Sequence, residues 1–247
     1  MPGIVNGVNI RHDELMATSK TAPRTSYHHG DLRNALTESA VELARLGGPA
    51  AVVLREVARR VGVSPTAAYR HFSAAEELVY EVKHAALAKL AESIRRAVDA
   101  VPTDGDSGDV AVARLRASAE GYLDFAFSEP GLFQTAFHRE ETEQPAEGEG
   151  AEGSEGPEGP EGIAGGIPFS DSPAFQMFTT LLDEVLAAGR MARGWRDGAE
   201  IAGWSMVHGF AVLSIEGPLA RHLPEELKAF ARQRTIDLMV RGFTASE

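Results

Sequence analysis

Side chains that can hydrogen bond with another molecule cluster in one short stretch of the chain, residues 64–71. They carry hydroxyl, phenol, guanidinium and imidazole groups: Ser64, Thr66, Tyr69, Arg70 and His71. Such groups bind phosphate oxygens and base edges, and arginine with guanine is the commonest specific contact to DNA. The methyl groups of Thr66 and Ala67 suit thymine. The chemistry that this stretch predicts is recognition of nucleic acid.

Sequence patterns for catalysis and metal binding are missing from the chain. The chain lacks G-x-S-x-G, the phosphate-loop pattern and H-E-x-x-H, which mark nucleophiles, nucleotide sites and zinc sites. It has no cysteine, which excludes disulfides, cysteine-ligated zinc and thiol catalysis. The neighbours His28 and His29 would point apart on a helix, and no third ligand lies at metal-binding spacing. We therefore expect no enzyme activity, no metal and no cofactor.

The recognition side chains belong to a predicted helix-turn-helix over residues 54–72. Its first helix has an apolar stripe at i, i+3, i+4 and i+7, formed by Leu54, Val57, Ala58 and Val61. Gly62 can adopt the left-handed conformation that ends a helix, and Ser64 before Pro65 can cap the next one. The second helix is predicted over residues 65–71. In this arrangement the second helix lies in the major groove of DNA.

The flanking motifs make the pattern more specific. Upstream, residues 27–33 have the sequence YHHGDLR, and downstream Ser73 and Glu76 form a capping-box pattern that starts a longer helix. Together with LREVARRVGVSPTAAYRHF between them, these motifs resemble the DNA-binding domain of TetR-family transcriptional regulators. The resemblance covers residues 27–90.

The resemblance implies roles for individual side chains. Arg55, Tyr69 and His71 match family positions that contact phosphates. The side chains expected nearest the base edges are Thr66, Ala67 and Arg70. Two positions depart from the family pattern. Val53 stands where serine or threonine commonly caps the helix, and Ala75 stands where many members carry a phosphate-binding lysine. Two alternatives stay open: Tyr69 only buttresses the turn, and His71 is an ordinary surface residue.

The acidic total charge conceals a basic N-terminal region. The net charge is −12, but residues 140–161 hold nine glutamates and no basic side chain. The remainder carries −3, from 24 basic and 27 acidic residues, and residues 1–75 carry +3, from nine basic and six acidic residues. Salt screens charges beyond about 8–10 Å, so the local sign decides attraction to phosphate.

Composition divides the chain into parts of different character. Residues 1–26 have no hydrophobic period and are predicted to be a flexible arm, either solvated or touching DNA. Residues 27–90 form the predicted DNA-binding domain, and residues 91–247 a helical regulatory and dimerisation domain. Within it, residues 139–168 are rich in Glu, Gly and Pro, which predicts a disordered acidic insertion. A plain solvated segment is favoured over a partner-binding one, because nothing apolar is interleaved.

Two late helices have patterns that predict burial. The stretch 201–215, which Asp197 can cap, is apolar nearly all round, and such a helix is buried on both sides. A last helix begins near Pro224, and its predicted inward residues are Leu227, Phe230, Ala231 and Leu238. The family resemblance implies that these two helices form a four-helix interface in a homodimer.

A candidate effector pocket lies in the second domain. The segment WSMVHGF, residues 204–210, looks like the WHG signature of one TetR branch. The predicted pocket residues combine aromatic, flexible and polar groups, as ligand cavities do: Tyr122, Phe125, Phe133, Phe137, Phe178, Trp204, Met206 and His208. The buried stretch has no Lys or Arg, which favours a largely apolar ligand. The alternatives are a solid core, with Trp204 packing only and His208 satisfied by a backbone carbonyl.

These observations lead to one main hypothesis. We expect an all-α protein with an N-terminal three-helix helix-turn-helix domain and a C-terminal ligand-binding and dimerisation domain. The resemblance implies a cytoplasmic homodimeric repressor that binds double-stranded operator DNA and is released by a small-molecule effector. No apolar stretch is long enough for a membrane span. The alternatives are an activator, or a helical ligand-binding or scaffolding protein with a degenerate helix-turn-helix.

Overall fold

The computed structural model describes residues 29–138 and 172–244, and all regular elements in these two ranges are helical. The α-helices are α1 (His29–Gly47), α2 (Leu54–Val61), α3 (Pro65–Tyr69), α4 (Ala75–Asp99), α5 (Ser107–Ser128), α6 (Pro130–Ala136), α7 (Pro173–Ala187), α8 (Ala199–Ile215), α9 (Pro218–His222) and α10 (Glu225–Thr244). The predicted all-α class is confirmed. The predicted arm and the predicted acidic insertion lie outside the described residues.

The turn between α2 and α3 forms as its residue types predict. Gly62 has a φ of 80°, in the left-handed region that glycine tolerates, and its amide bonds to the carbonyls of Ala58 and Arg59. The hydroxyl oxygen of Ser64 accepts a hydrogen bond from the amide of Ala67 at 3.2 Å. The predicted helix end and the predicted cap are both confirmed.

The second helix and its successor differ in detail from the prediction. α3 ends at Tyr69, and the next two residues form a turn. The predicted capping box is wrong by one residue, because α4 begins at Ala75 and its third residue is Glu77, not Glu76. The Glu77 carboxylate accepts from the amide of Ser73 at 2.8 Å and from its hydroxyl at 3.1 Å.

α4 is the long helix that joins the two groups of helices. Its predicted apolar stripe is confirmed, since Leu87, Leu90, Ala91, Ile94 and Val98 are all buried. It packs against α1 at one end and against α5, α6 and α7 along the rest of its length. The predicted domain boundary at residues 90 and 91 falls inside this continuous helix and stays a prediction.

α6 docks closely on the end of α1. A side chain at Gly131 would overlap the backbone carbonyls of Ala44 and Arg45, so only glycine allows this approach. The guanidinium of Arg45 also donates to the Glu129 carboxylate at 2.8 Å. The short helix α6 therefore touches α1 of the predicted DNA-binding domain directly.

The prediction that α8 is buried on both sides is wrong within this chain. Ile201 and Leu213 are 59% and 45% exposed, although Val207 and Phe210 on the other side are buried. The predicted cap by Asp197 is also wrong, because Gly198, with a φ of 78°, occupies the cap position. The apolar pattern therefore does not show which side of α8 the chain itself buries.

The predicted inward face of α10 is likewise wrong. Leu227, Phe230 and Leu238 are 49%, 55% and 62% exposed, and Ala231 is half-buried. The buried residues of the helix are instead Ile236, Met239, Val240 and Phe243. Apolar residues lie on two sides of α10, and spacing alone does not distinguish them.

In the two described ranges, no helix combines the length and the apolar character of a membrane span.

Candidate DNA interface and effector cavity

The predicted DNA-contacting side chains lie together on α3, the turn after it and the first turn of α2. Their burial divides them in two groups: Arg55, Ser64, Thr66, Tyr69 and Arg70 are exposed, whereas Ala67 and His71 are half-buried. Ala68 and Phe72 are fully buried and anchor the segment from beneath. Residues 64–71, which we call the recognition segment, are therefore presented outward from a fixed core. Contacts of these side chains with DNA stay a prediction.

Ser64 caps α3, as predicted, and is also a predicted DNA-contacting residue. Its hydroxyl oxygen caps α3 through the amide of Ala67. A hydroxyl group that accepts one hydrogen bond can still donate its own hydrogen. The cap and a phosphate contact are therefore compatible at this residue.

The arginines of α2 differ in their pairing. The Glu56 carboxylate accepts from the Arg59 guanidinium at 2.6 and 2.8 Å and from Arg60 at 3.3 Å. These contacts lower the pKa of Glu56 to about 2, chiefly through the hydrogen bonds from Arg59. Arg55 and Arg70 form no ion pair with any described residue. Of these four cations, Arg55 of α2 and Arg70 after α3 are therefore without an ion-pair partner among residues 29–138 and 172–244.

The two departures from the family pattern occupy helix starts. Val53 is the cap residue of α2, half-exposed, and gives no side-chain hydrogen bond. Ala75 is the first residue of α4. Neither side chain can hydrogen bond with phosphate, so contacts at these helix ends would have to come from backbone amides.

An apolar cavity of about 550 Å³, counted with the space at its mouth, lies in the C-terminal half. Its lining comes from six elements: Leu87, Leu90 and Ile94 of α4, Ser118, Ala119 and Tyr122 of α5, Phe137 after α6, Ser172, Ala174, Phe175 and Phe178 of α7 and its cap, Trp204 and Val207 of α8, and Met239 of α10. None of the lining residues is charged at neutral pH.

Four of the eight predicted pocket residues line the cavity: Tyr122, Phe137, Phe178 and Trp204. Phe125 and Phe133 are buried in the core instead. Met206 lies on the exposed side of α8, away from the lining. The other ten lining residues were not predicted, although the confirmed apolar stripe of α4 was a usable signal for Leu87, Leu90 and Ile94.

His208 stands directly behind the lining, within an aromatic cluster. Its ring stacks on Trp204 with centroids 4.7 Å apart and meets the Phe137 ring at 4.6 Å. Its Nδ1 lies 2.8 Å from the Tyr122 hydroxyl oxygen, and Trp204 also hydrogen bonds with Tyr122. The bond to a tyrosine hydroxyl replaces the backbone carbonyl that was considered for this histidine.

Burial keeps this cluster uncharged. It lowers the pKa of His208 to about 4, so the ring is neutral at pH 7, with one nitrogen as donor and one as acceptor. Burial also raises the pKa of Tyr122 above its ordinary value, against a smaller opposing effect of the Trp204 hydrogen bond. The cavity therefore has apolar walls and one neutral polar corner.

Two family models match the chain. Residues 36–82 match the model described as bacterial regulatory proteins of the TetR family, and residues 115–238 match the tetracyclin repressor-like C-terminal domain. The second match alone covers half of the chain. A search of curated proteins found no match.

Solved structures share the fold at low sequence identity. A protein of unknown function from Rhodococcus sp. RHA1 is 23% identical, with a TM-score of 0.65, covering 89% of this chain and 99% of that one. A proposed TetR family transcription regulator from Shewanella sp. PV-4 is 16% identical, with a TM-score of 0.53 over 87% and 98% of the two chains. The TetR family transcriptional regulator PfmR from Thermus thermophilus is 19% identical, with a TM-score of 0.51 over 83% and 97%.

Protonation of His208 is expected only near pH 4, measured by NMR titration of its imidazole resonances. The folded pKa lies below the unfolded value of about 6.5, so the unfolded chain binds more protons in that window. Stability is therefore lost as the pH falls from about 6.5 to 4, by at most about 3 kcal/mol. His208→Gln should remove this part of the loss in urea unfolding, with exposed His222→Gln as the matched control. A His208 resonance that titrates near pH 6.5 would contradict the assignment.

Proposed function

The chain belongs to the TetR family of transcriptional regulators, and on that premise we propose that it is a repressor released from its operator by a small apolar molecule. Regulators of this family bind operator DNA and act as dimers with small-molecule effectors. The observation that carries the proposal is the apolar cavity lined by α4, the same helix whose first turns pack against the DNA-binding helices. One rigid element thus touches both sites.

In the proposed complex with DNA, Thr66, Ala67 and Arg70 contact the base edges. Arg55 and Tyr69 contact phosphates in this proposal, with Ser64 and His71 beside them, as the family positions imply. Exposed arginines without partners in the described chain can form the paired hydrogen bonds that guanine or phosphate accepts. Two such segments in a dimer must lie about 34–36 Å apart to enter successive major grooves.

The dimer interface in this proposal consists of α8 and α10 from both protomers. Both helices leave large apolar side chains exposed: Ile201, Met206 and Leu213 on α8, and Leu227, Phe230 and Leu238 on α10. An exposed apolar surface of this kind marks a protein interface. A second copy of α8 and α10 would bury the residues that the sequence patterns placed inside.

The effector in this proposal is uncharged and mostly apolar. A charged ligand would lose its hydration in a cavity that offers no opposite charge. Aromatic walls from Phe137, Phe178 and Trp204 fit a ring or a branched hydrocarbon. The neutral cluster of Tyr122 and His208 can satisfy one hydrogen-bonding group of the ligand.

The competing function is a ligand-binding or scaffolding protein that does not bind DNA, which Val53 and Ala75 motivate. A gel-shift experiment with the protein's own promoter region distinguishes the two. Retardation that an uncharged ligand reverses supports the repressor. Transcription from that promoter in a reconstituted reaction separates repression from activation.

Arg70→Ala should weaken binding to operator DNA by about 10-fold or more, because a good base contact contributes about 1–3 kcal/mol, and should change binding to scrambled DNA little. Arg55→Ala should weaken both DNAs alike and lower the slope of log K against log salt by about 1, since it removes a phosphate contact. Both are measured by fluorescence anisotropy on the two duplexes. Equal losses on both DNAs for Arg70→Ala would remove it from the base edges.

Leu238→Arg should convert the dimer to monomer, because it places a charge in the centre of an apolar interface, and a buried unpaired charge is strongly unfavourable. Sedimentation analysis without DNA measures the change, with an expected rise of at least about 100-fold in the dimer dissociation constant. Leu46→Arg is the matched control, an exposed leucine at the end of α1. A dimer that persists in Leu238→Arg would exclude this helix from the interface.

Trp204→Ala should keep operator binding but lose ligand release, because it removes a cavity wall without touching the recognition segment. Ala174→Phe should fill the cavity and weaken binding of the uncharged dye Nile red by about 10-fold, equal to about 1.4 kcal/mol. Trp195→Ala, which removes an exposed tryptophan outside the lining and outside α8 and α10, is the control for both. If release by the best uncharged compound from a thermal-shift screen is unchanged in Trp204→Ala, the cavity is not the effector site.

A further inference from the structure

Arg33 of α1 makes an unusual set of contacts with the end of the recognition segment. Its Nη1 donates to the backbone carbonyl of His71 at 2.6 Å, and its guanidinium carbon lies 4.3 Å above the Phe72 ring. These two residues directly follow the exposed Tyr69 and Arg70. Arg33 therefore holds the chain at the point where the recognition segment returns to the core.

The same guanidinium is fixed to α4 by two carboxylates. It donates to Glu77 at 3.2 Å and to Glu81 at 2.7 Å. Glu77 in turn accepts from the amide and the hydroxyl of Ser73. Residues 71–73 are thus tied to α4 both directly and through Arg33, and we call this set of contacts the Arg33 clamp.

The geometry of guanidinium suits this task and that of a lysine does not. Arginine has five N–H donors in a rigid planar fork, whereas a lysine ammonium is a single point of charge on a flexible chain. One planar group here reaches a carbonyl, two carboxylates and a ring face together. Exposed ion pairs add little to stability, and Arg33, Glu77 and Glu81 each have about 37% of their side chain exposed. The clamp therefore contributes orientation more than stability.

We propose that Arg33 is a positioning residue for DNA recognition, which sets the angle of the recognition segment on α4 through the His71 carbonyl and the Glu77–Glu81 pair. This rests on the proposed function only for its operator readout. Arg33 needs no DNA contact for this role. Its loss should lower sequence discrimination and leave the number of phosphate contacts unchanged.

The test compares Arg33→Met with Arg95→Met. Arg95 lies on the exposed surface of α4 and also pairs with two carboxylates, Glu92 and Asp99, but it has no contact with the recognition segment. The operator is the duplex that the wild-type protein selects from a random pool. Arg33→Met should bind it at least 10-fold more weakly, with scrambled DNA and the salt slope unchanged. Arg95→Met should match wild type, and Arg33→Lys should recover only part of the loss.

Hydrogen exchange of the DNA-free protein gives a second readout. Amides of residues 66–73 should exchange faster in Arg33→Met than in Arg95→Met. If Arg33→Met does not fold, Glu81→Met, which removes one acceptor of the Arg33 guanidinium, carries both measurements. Equal effects of the Arg33 and Arg95 variants, or a salt slope lower by about 1, would overturn the clamp. If wild type selects no sequence, the repressor proposal fails, and exchange in residues 66–73 still decides the clamp.

Discussion

The burial of one continuous apolar face on α4 is the constraint on which the rest of the structure depends. Leu78 and Val82 at its start are fully buried beside the DNA-binding helices, and Leu90 and Ile94 further along are buried among the C-terminal ones. A helix of 25 residues extends about 37 Å and does not bend easily. Both groups of helices therefore pack on the same continuous element.

Polar groups occupy this framework in two different ways. In the aromatic cluster, Trp204, Tyr122 and His208 satisfy one another without charge, which makes their burial beside an apolar cavity affordable and lets the cavity exclude ions. Around Arg33 the groups are charged and half-exposed, so they fix direction at little cost in desolvation. The cavity and the Arg33 clamp thus use opposite electrostatics, and α4 contributes to both.

Local rules predicted the features that depend on neighbours in sequence. The left-handed Gly62, the cap of α3 and the stripe of α4 formed as predicted, because each is decided within one helical turn. The exposed sides of α8 and α10 were not predictable, since hydrophobicity identifies an apolar face but not the molecule that covers it. Helical phase alone could have separated Met206 from Trp204, because residues two apart point to nearly opposite sides. Met239 reaches the cavity through tertiary packing, which leaves no local signal.

In the proposed function, the free energy needed to release operator DNA is small compared with the free energy of burying an apolar ligand in the cavity. To weaken operator binding 100-fold, an effector must prefer the released arrangement 100-fold, which is about 2.7 kcal/mol. At about 25 cal/mol per Å², that equals a difference of roughly 110 Å² of buried apolar surface between the two arrangements, less than one aromatic side chain. Leu87 in the lining and Glu81 in the clamp are six residues apart on α4, about 9 Å along its axis. In the proposed function, a modest change in how Leu87 or Phe137 meets the ligand is therefore sufficient, because α4 is continuous from the lining to the Arg33 clamp.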